Sequence, residues 1–354
     1  MRPVKAIIST SAMRHNLGVV RRCAPRSLVF AVVKANAYGH GLSRAVPAFE
    51  DADGLALLEI ESAVRLREAD YGKRIALLEG LFEPAEVALA AQHDFTIAIH
   101  QRVQLEMLDA APAGAELDVM LKINTGMNRL GFAPSEVVAA LDLLATHRAV
   151  KRVTLMTHFA TADDERGVEW QMQEFERIAA GRTFARSVAN SAAILRHPQT
   201  HFDWVRPGIM LYGASPFGDT PAAQLGLQPA MTLASELISV QQLSRGGRIG
   251  YAGTFEAERP MRIGTVACGY ADGYPRHAPT GTPLLVEGRR TRTIGRVAMD
   301  LICCDLTAMP ETGVGAAVVL WGEGMPADVV AASAGTVSYE LLCALAPRVR
   351  VIER

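Results

Sequence analysis

Eight short apolar runs, separated by stretches with helical spacing, limit the fold of this chain more than any other feature. They lie at 28–33, 54–58, 75–78, 95–99, 117–123, 153–157, 184–189 and 205–212. A run of this length bounded by turn residues fits a strand buried on both faces, as in a parallel sheet. Between most of them lie amphipathic or alanine-rich segments. One is 59–69, with Ile60, Ala63, Val64 and Leu66 at helical spacing; 134–146 and 168–180 are two more. Ser9 or Thr10 is placed to cap a first helix through Met13, Leu17 and Val20. Strands each followed by a helix predict a TIM-type (β/α)8 barrel over residues 1–225.

From about Gly226 the texture changes. Glycines punctuate short β-branched runs at 237–240, 263–267, 283–286 and 318–320, with helical turns expected at 329–334 and 339–343. Residues 226–354 therefore read as a mostly β C-terminal domain. The 354 residues suit a barrel plus a smaller domain.

With 36 basic and 37 acidic residues, the chain has no electrostatic footprint for nucleic acid or an anionic membrane. Nothing approaches the roughly 18 consecutive apolar residues of a membrane span, and the first residues lack a signal-peptide core. The expectation is a cytoplasmic protein. Five cysteines are scattered without a CxxC pair, so they read as small buried thiols, not a zinc site. His197 and His201 are four apart, but Pro198 breaks the helix that a metal pair needs, and both read as surface residues. No metal is expected. The Gly246-Gly247-Arg248-Ile249-Gly250 stretch lacks the strand–helix context of a dinucleotide fingerprint.

Chemistry gathers where strands end. The first apolar run stops at Lys34, followed by Ala-Asn-Ala-Tyr-Gly-His-Gly. A lysine at the C-terminal end of a barrel strand is either an ordinary ion-paired residue or an amine ready to form a Schiff base. The seventh run ends in Asn190-Ser191, and the eighth carries Arg206-Pro207-Gly208-Ile209. Backbone N–H groups at such a loop, with a serine hydroxyl, make an anion cradle. An aldehyde cofactor bearing a phosphate, pyridoxal phosphate, would use both the amine and the cradle. Arg206 has two readings, a buried structural ion pair or a partner for the pyridine nitrogen. An arginine only donates hydrogen bonds, so it would keep that nitrogen unprotonated. That favours reprotonation at the α-carbon over transamination.

Six blocks together resemble alanine racemases: AVVKANAYGHG (31–41), LKINTGMNRLGF (121–132), MTHFA (156–160), WVRPGIMLYG (204–213), GYADGYPR (269–276) and RVAMD (296–300). They keep the family order, and the likeness extends to Tyr339. The resemblance implies that Lys34 carries pyridoxal 5'-phosphate and serves as the base on the D-alanine side. Tyr38, Ser191, the Gly208 and Ile209 backbone and Tyr339 would contact the phosphate, with Asn190 nearby. His158 would pack by the cofactor ring and hydrogen-bond Arg206. Arg129 would reach the cofactor hydroxyl and the substrate carboxylate. Lys122 aligns with a lysine carbamylated in many members. Tyr251 aligns with the second base, whose phenol, with an ordinary pKa of about 10, needs help to accept a proton. In the family this tyrosine, like the substrate-binding Met299, comes from the partner subunit, which implies a homodimer.

Two departures stand out: Ala252 follows the tyrosine where glycine is usual, and Ala298 stands where serine is common. The expected function is racemization of alanine. Alternatives are a broader amino-acid racemase and a non-catalytic cofactor-binding barrel. The latter stops after the barrel, whereas residues 226–354 supply Tyr251, Met299 and Tyr339 here. A decarboxylase of similar architecture would put a carboxylate where Arg206 falls.

Overall fold

The structure, a computed structural model, describes residues 2–354. The chain divides into two compact units. One takes Leu17–Ala37 and Phe49–Gly208; the other takes the chain up to Asn16, Tyr38–Ala48 and Ile209–Arg354.

In the first unit, eight parallel strands close into a barrel: Leu28–Val32, Gly54–Leu57, Arg74–Leu77, Phe95–Ile99, Leu117–Lys122, Val150–Met156, Ala185–Ser187 and Trp204–Val205. Closure runs through Leu28 opposite Trp204 and Val29 opposite Val205. The (β/α)8 expectation is met, and the buried runs are its core: Val29, Leu55, Leu57, Ile75, Leu77 and Ile99 are fully enclosed. Helices Ile60–Glu68, Val137–Thr146 and Glu169–Ala179 form within the three segments read as amphipathic.

The last strand is much shorter than its apolar run. Pro207 brings no N–H and fixes its own φ, and the chain leaves the sheet after Val205. Ile209–Tyr212, expected as strand, forms a 3-10 turn.

In the second unit, the eight strands of one sheet run in the order Met261–Val266, Ile302–Asp305, Arg289–Ile294, Pro283–Val286, Ala317–Trp321, Met231–Leu243, Lys5–Ile8 and Arg350–Glu353. Met261–Val266 also pairs with the long strand Met231–Leu243, which carries a register shift between Leu237 and Ser239. The strand Lys5–Ile8 was not in the expected set. It runs antiparallel to Met231–Leu243 and parallel to Arg350–Glu353. Ser9 follows it and caps the helix Thr10–Cys23, its Oγ accepting from Ala12 N at 3.1 Å.

The cysteines are all free thiols among the described residues. Only Cys268 and Cys304 are buried; Cys23 and Cys303 are half-buried and Cys343 is exposed. His197 and His201 are also half-buried, each ring bonded to a backbone carbonyl, Ala162 O and Ile194 O. Among the described residues, no helix is long and apolar enough to cross a membrane.

Candidate active site

The barrel strands point one set of side chains out of their C-terminal ends, the end where such barrels keep their chemistry. Val32 N donates to Pro207 O at 3.0 Å and Val33 N to Ala56 O at 2.8 Å. These bonds hold the backbone just before Lys34, which is half-buried. A turn then leads to Tyr38, and it is left-handed. Ala35, Asn36, Ala37 and Tyr38 have φ of 52°, 51°, 55° and 50°. This hand costs L-residues roughly 1–2 kcal/mol each, so the surrounding structure must hold the turn in place.

Lys122, at the end of the fifth barrel strand, is 7% exposed. Burial, then the charges of Arg206 and Arg129, lowers its pKa to about 8, while Glu79 acts against the shift. Arg129 itself is exposed, on the loop that follows. Lys122, Thr125, Met127, Arg129, Thr157 and His158 line one narrow pocket. Burial and the same cations, Arg206, Lys122, Arg129 and Lys34, drive the His158 imidazole well below its usual pKa, so it is neutral.

Arg206 is 4% exposed. One terminal nitrogen donates to Ser187 O and Ser187 Oγ, both at 2.6 Å; the other donates to Thr157 O at 2.6 Å. Burial lowers its pKa to about 10, which still leaves it charged at neutral pH. None of these bonds goes to a carboxylate, so the ion-pair reading of Arg206 falls away. The hydrogen bond expected from His158 to Arg206 is not among them either.

Ser191 opens the helix Ser191–Arg196 and is buried; its Oγ accepts from Gly208 N at 2.8 Å. A hydroxyl and a backbone N–H thus stand side by side beyond the seventh and eighth strands. Asn190 is the cap of that helix, its Oδ1 accepting from Ala193 N at 3.0 Å. Its side-chain oxygen is committed to the backbone.

The chemistry of this donor set fits pyridoxal phosphate. Arg206, Arg129 and Lys34 all act on the Lys122 amine, with Glu79 as the acidic counterweight, and the same cations act on His158. Such an excess of cations favours phosphate, phenolate and carboxylate oxygens.

In the second unit, Tyr38 is buried and its ring stacks on Tyr212, centroids 4.7 Å apart; Tyr339 lies at 6.0 Å. Burial, with Tyr339 nearby, pushes the Tyr38 phenol up, so it is a donor at any ordinary pH. Ser338 Oγ bonds Asp328, whose carboxylate also accepts from Ser215 N at 3.2 Å. This ties down the start of the helix Ser338–Cys343 that carries Tyr339. Ile209 is fully buried at the start of its 3-10 turn.

Tyr251 is 72% and Met299 52% exposed. Tyr251 sits at the tip of a two-stranded ribbon, Arg248–Ile249 with Phe255–Glu256. The residue after it, Ala252, has φ 62°, so alanine takes a backbone conformation that glycine adopts freely. Met299 belongs to a segment locked from behind. Tyr270 N donates to Ala298 O and Ala271 N to Met299 O, at 3.1 and 3.0 Å. Gly269 permits this approach, since a Cβ there would lie 2.3 Å from Met299 O. Buried Asp272 accepts from Arg2 and Arg348, each at 2.8 Å, and Arg348 also reaches Asp300 at 2.6 Å. Burial pushes the Asp272 carboxyl up, but the hydrogen bonds from both arginines and Gly269 N outweigh it and leave its pKa lowered.

A family model described as the alanine racemase N-terminal domain matches residues 8–216, and one for the C-terminal domain matches 230–353. The chain belongs to the alanine racemase family. It is 56% identical to the alanine racemase of Nitrosospira multiformis, over 99% of both chains. It is 60% identical to that of Thiobacillus denitrificans, over 100% of this chain and 96% of the relative. The crystal structure of the biosynthetic alanine racemase from Pseudomonas aeruginosa superposes with a TM-score of 0.97 at 48% identity, covering 100% of each chain. As an alanine racemase, the enzyme is an isomerase that interconverts L-alanine and D-alanine.

Several residues that pack against the candidate residues gave no signal in the sequence. Glu79 and His100 stand at strand ends inside ordinary-looking segments. Tyr212 lies within the block 204–213, but only the fold shows that it stacks on Tyr38. Gln171 looks like any polar residue of a surface helix, yet it is fully buried.

Proposed function

We propose that this alanine racemase works in the cytoplasm as a homodimer with pyridoxal 5'-phosphate, using Lys34 of one subunit and Tyr251 of the partner subunit as its two bases. The observation that carries the reading is Arg206, a buried guanidinium bonded only to backbone and hydroxyl oxygens beside a neutral His158. Bound there, the cofactor supplies an aldehyde that captures the amino group and a ring that accepts the electrons left when the α-proton departs.

Each residue then has a task. Arg206 donates to the ring nitrogen and cannot give up a proton to it. Ser191 and Gly208 would hold phosphate oxygens, the Gly208 N–H exchanging Ser191 Oγ for one of them. Lys34 Nζ takes or returns the α-proton on one face of the amino acid. Tyr251 Oη does so on the other face, which is why inversion results and not simple exchange. Arg129 orients the substrate carboxylate, and the Met299 backbone closes the other side. Lys122, with its amine near neutrality at about pH 8, attacks the carbon of carbon dioxide and loses a proton. The carbamate so formed is an anion that holds Arg129. The Pseudomonas aeruginosa neighbour is a biosynthetic alanine racemase, which favours the same duty here.

The test is an absorbance spectrum, a borohydride trap and peptide mapping on active protein. A yellow protein with label on Lys34 is expected. Active protein that is colourless, or labelled elsewhere, would end the proposal.

A further inference from the structure

The loop that carries Arg129 is a closed excursion. Asn124 N donates to Phe132 O and Phe132 N to Lys122 O, each at 2.9 Å. Asn124 Oδ1 accepts from Gly126 N and Asn128 N inside it. Such a loop shapes itself but does not fix its own position. Two consecutive residues on the first turn of helix Glu169–Ala179 do that. Trp170 packs against Gly126, where a Cβ would be 2.2 Å from the indole. The indole is held by Thr161 Oγ1, which accepts from Nε1 at 3.0 Å, and by Arg166, 4.1 Å above the ring.

Gln171 is the second. Its Nε2 donates to Thr125 Oγ1 at 2.9 Å and to His158 O at 3.2 Å, and its Oε1 accepts from Ala160 N at 2.7 Å. A backbone donor and a backbone acceptor fix which way the amide faces. Thr157 Oγ1 donates to Ile123 O at 2.9 Å, so in the 2.8 Å pair with Thr125 it must accept. Every proton in the chain Gln171, Thr125, Thr157, Ile123 therefore points one way. The same Thr157 gives its carbonyl to Arg206.

We infer that Gln171 is a positioning residue for racemization: it clamps the Arg129 loop to the strand end that bears His158 and the Arg206 acceptor, and so sets where the substrate carboxylate is received. This rests on the proposed role of Arg129.

The experiment uses the holoenzyme. In Gln171→Leu the KM for both alanine enantiomers should rise roughly tenfold, with kcat changed far less, because a carboxylate contact serves ground and transition states alike. Inhibition by propionate, a carboxylate without an amine, should weaken in parallel, while the bound-cofactor absorbance is unchanged. Thr125→Val should show the same pattern more weakly, the double variant should be no worse than Gln171→Leu, and Thr125→Ser should restore KM to within about twofold. If Gln171→Leu does not fold, the Thr125 pair carries the test. Variants that lower only the melting temperature, with KM and propionate inhibition unmoved, overturn the inference. An Arg129→Ala variant separates the two ideas: unchanged KM there removes the carboxylate role itself, whereas raised KM there with normal KM in Gln171→Leu removes only the clamp.

Discussion

The barrel mouth and the Tyr251–Met299 face solve opposite problems. At the barrel mouth, Lys122 and Arg206 are buried and His158 is half-buried, and Arg206 directs its donors to oxygens of the fold. Burial and neighbouring cations lower the pKa of Lys122 and of His158. On the second unit, Tyr251 and Met299 stand in solvent, and the order lies behind them, in the Asp272 network and the ribbon. One region has its groups preorganised in place. The other is a rigid mount that presents side chains outward, which suits residues that act on something the unit does not itself enclose.

The largest effect that tests this contrast is complementation. Lys34→Ala and Tyr251→Phe should each cost on the order of a thousandfold or more in turnover. Mixed and reassociated, the two inactive proteins should regain about a quarter of wild-type activity, since half of random dimers hold one intact site of two. No recovery on mixing would mean that both bases come from one chain.

Next is the mount. Asp272→Ala removes a buried carboxylate that accepts from two exposed arginines and from Gly269 N, and should destabilise by about 1–3 kcal/mol in denaturant unfolding. A variant as stable as wild type would show that the Met299 segment is held otherwise.

A smaller effect is set by pH. In the form without carbamate, Lys122 has a folded pKa of about 8 against 10.5 for the free side chain. Between these values the unfolded chain holds the extra proton, so stability must rise with pH across that window. Wild type should therefore gain on Lys122→Met from pH 8 to about 10 in carbon-dioxide-free buffer. A constant difference would mean that the amine is not tuned as described.

The smallest concerns the ribbon tip. Ala252→Gly should stabilise by up to about 1 kcal/mol, because Ala252 sits at φ 62°. A loss of stability would show that the methyl group packs usefully.

The two regions were also unequally legible. Period and punctuation revealed the barrel, since buried strands must be apolar on both sides, and strand-end placement singled out Lys34, Arg206 and Ser191 as candidates. Lys5–Ile8 was missed because four residues ahead of a helix carry too little pattern, and its partners lie at 231–234 and 350–353. The bonds of Arg206 to Ser187 and Thr157 were invisible because they run to backbone or a small hydroxyl. The capping role of Asn190 needed the helix start to be known to the residue. Gln171 was hidden by its polarity, which on a helix reads as a solvated face. Tyr251 became a candidate through resemblance alone, because exposure and composition say nothing of a phenol's duty.

The segment Lys34–Tyr38 hid its handedness entirely, since Lys-Ala-Asn-Ala-Tyr without glycine is a sound right-handed sequence. A free peptide of these residues will coil to the right or stay open. The aim of the Lys34 amine is therefore not written locally at all; it depends on the fold that fixes the backbone before it through Val32 and Val33. A truncated or half-folded chain would carry the same lysine with no fixed direction, and a single glycine at Ala35 or Ala37 would make that direction less strained to hold and easier to lose.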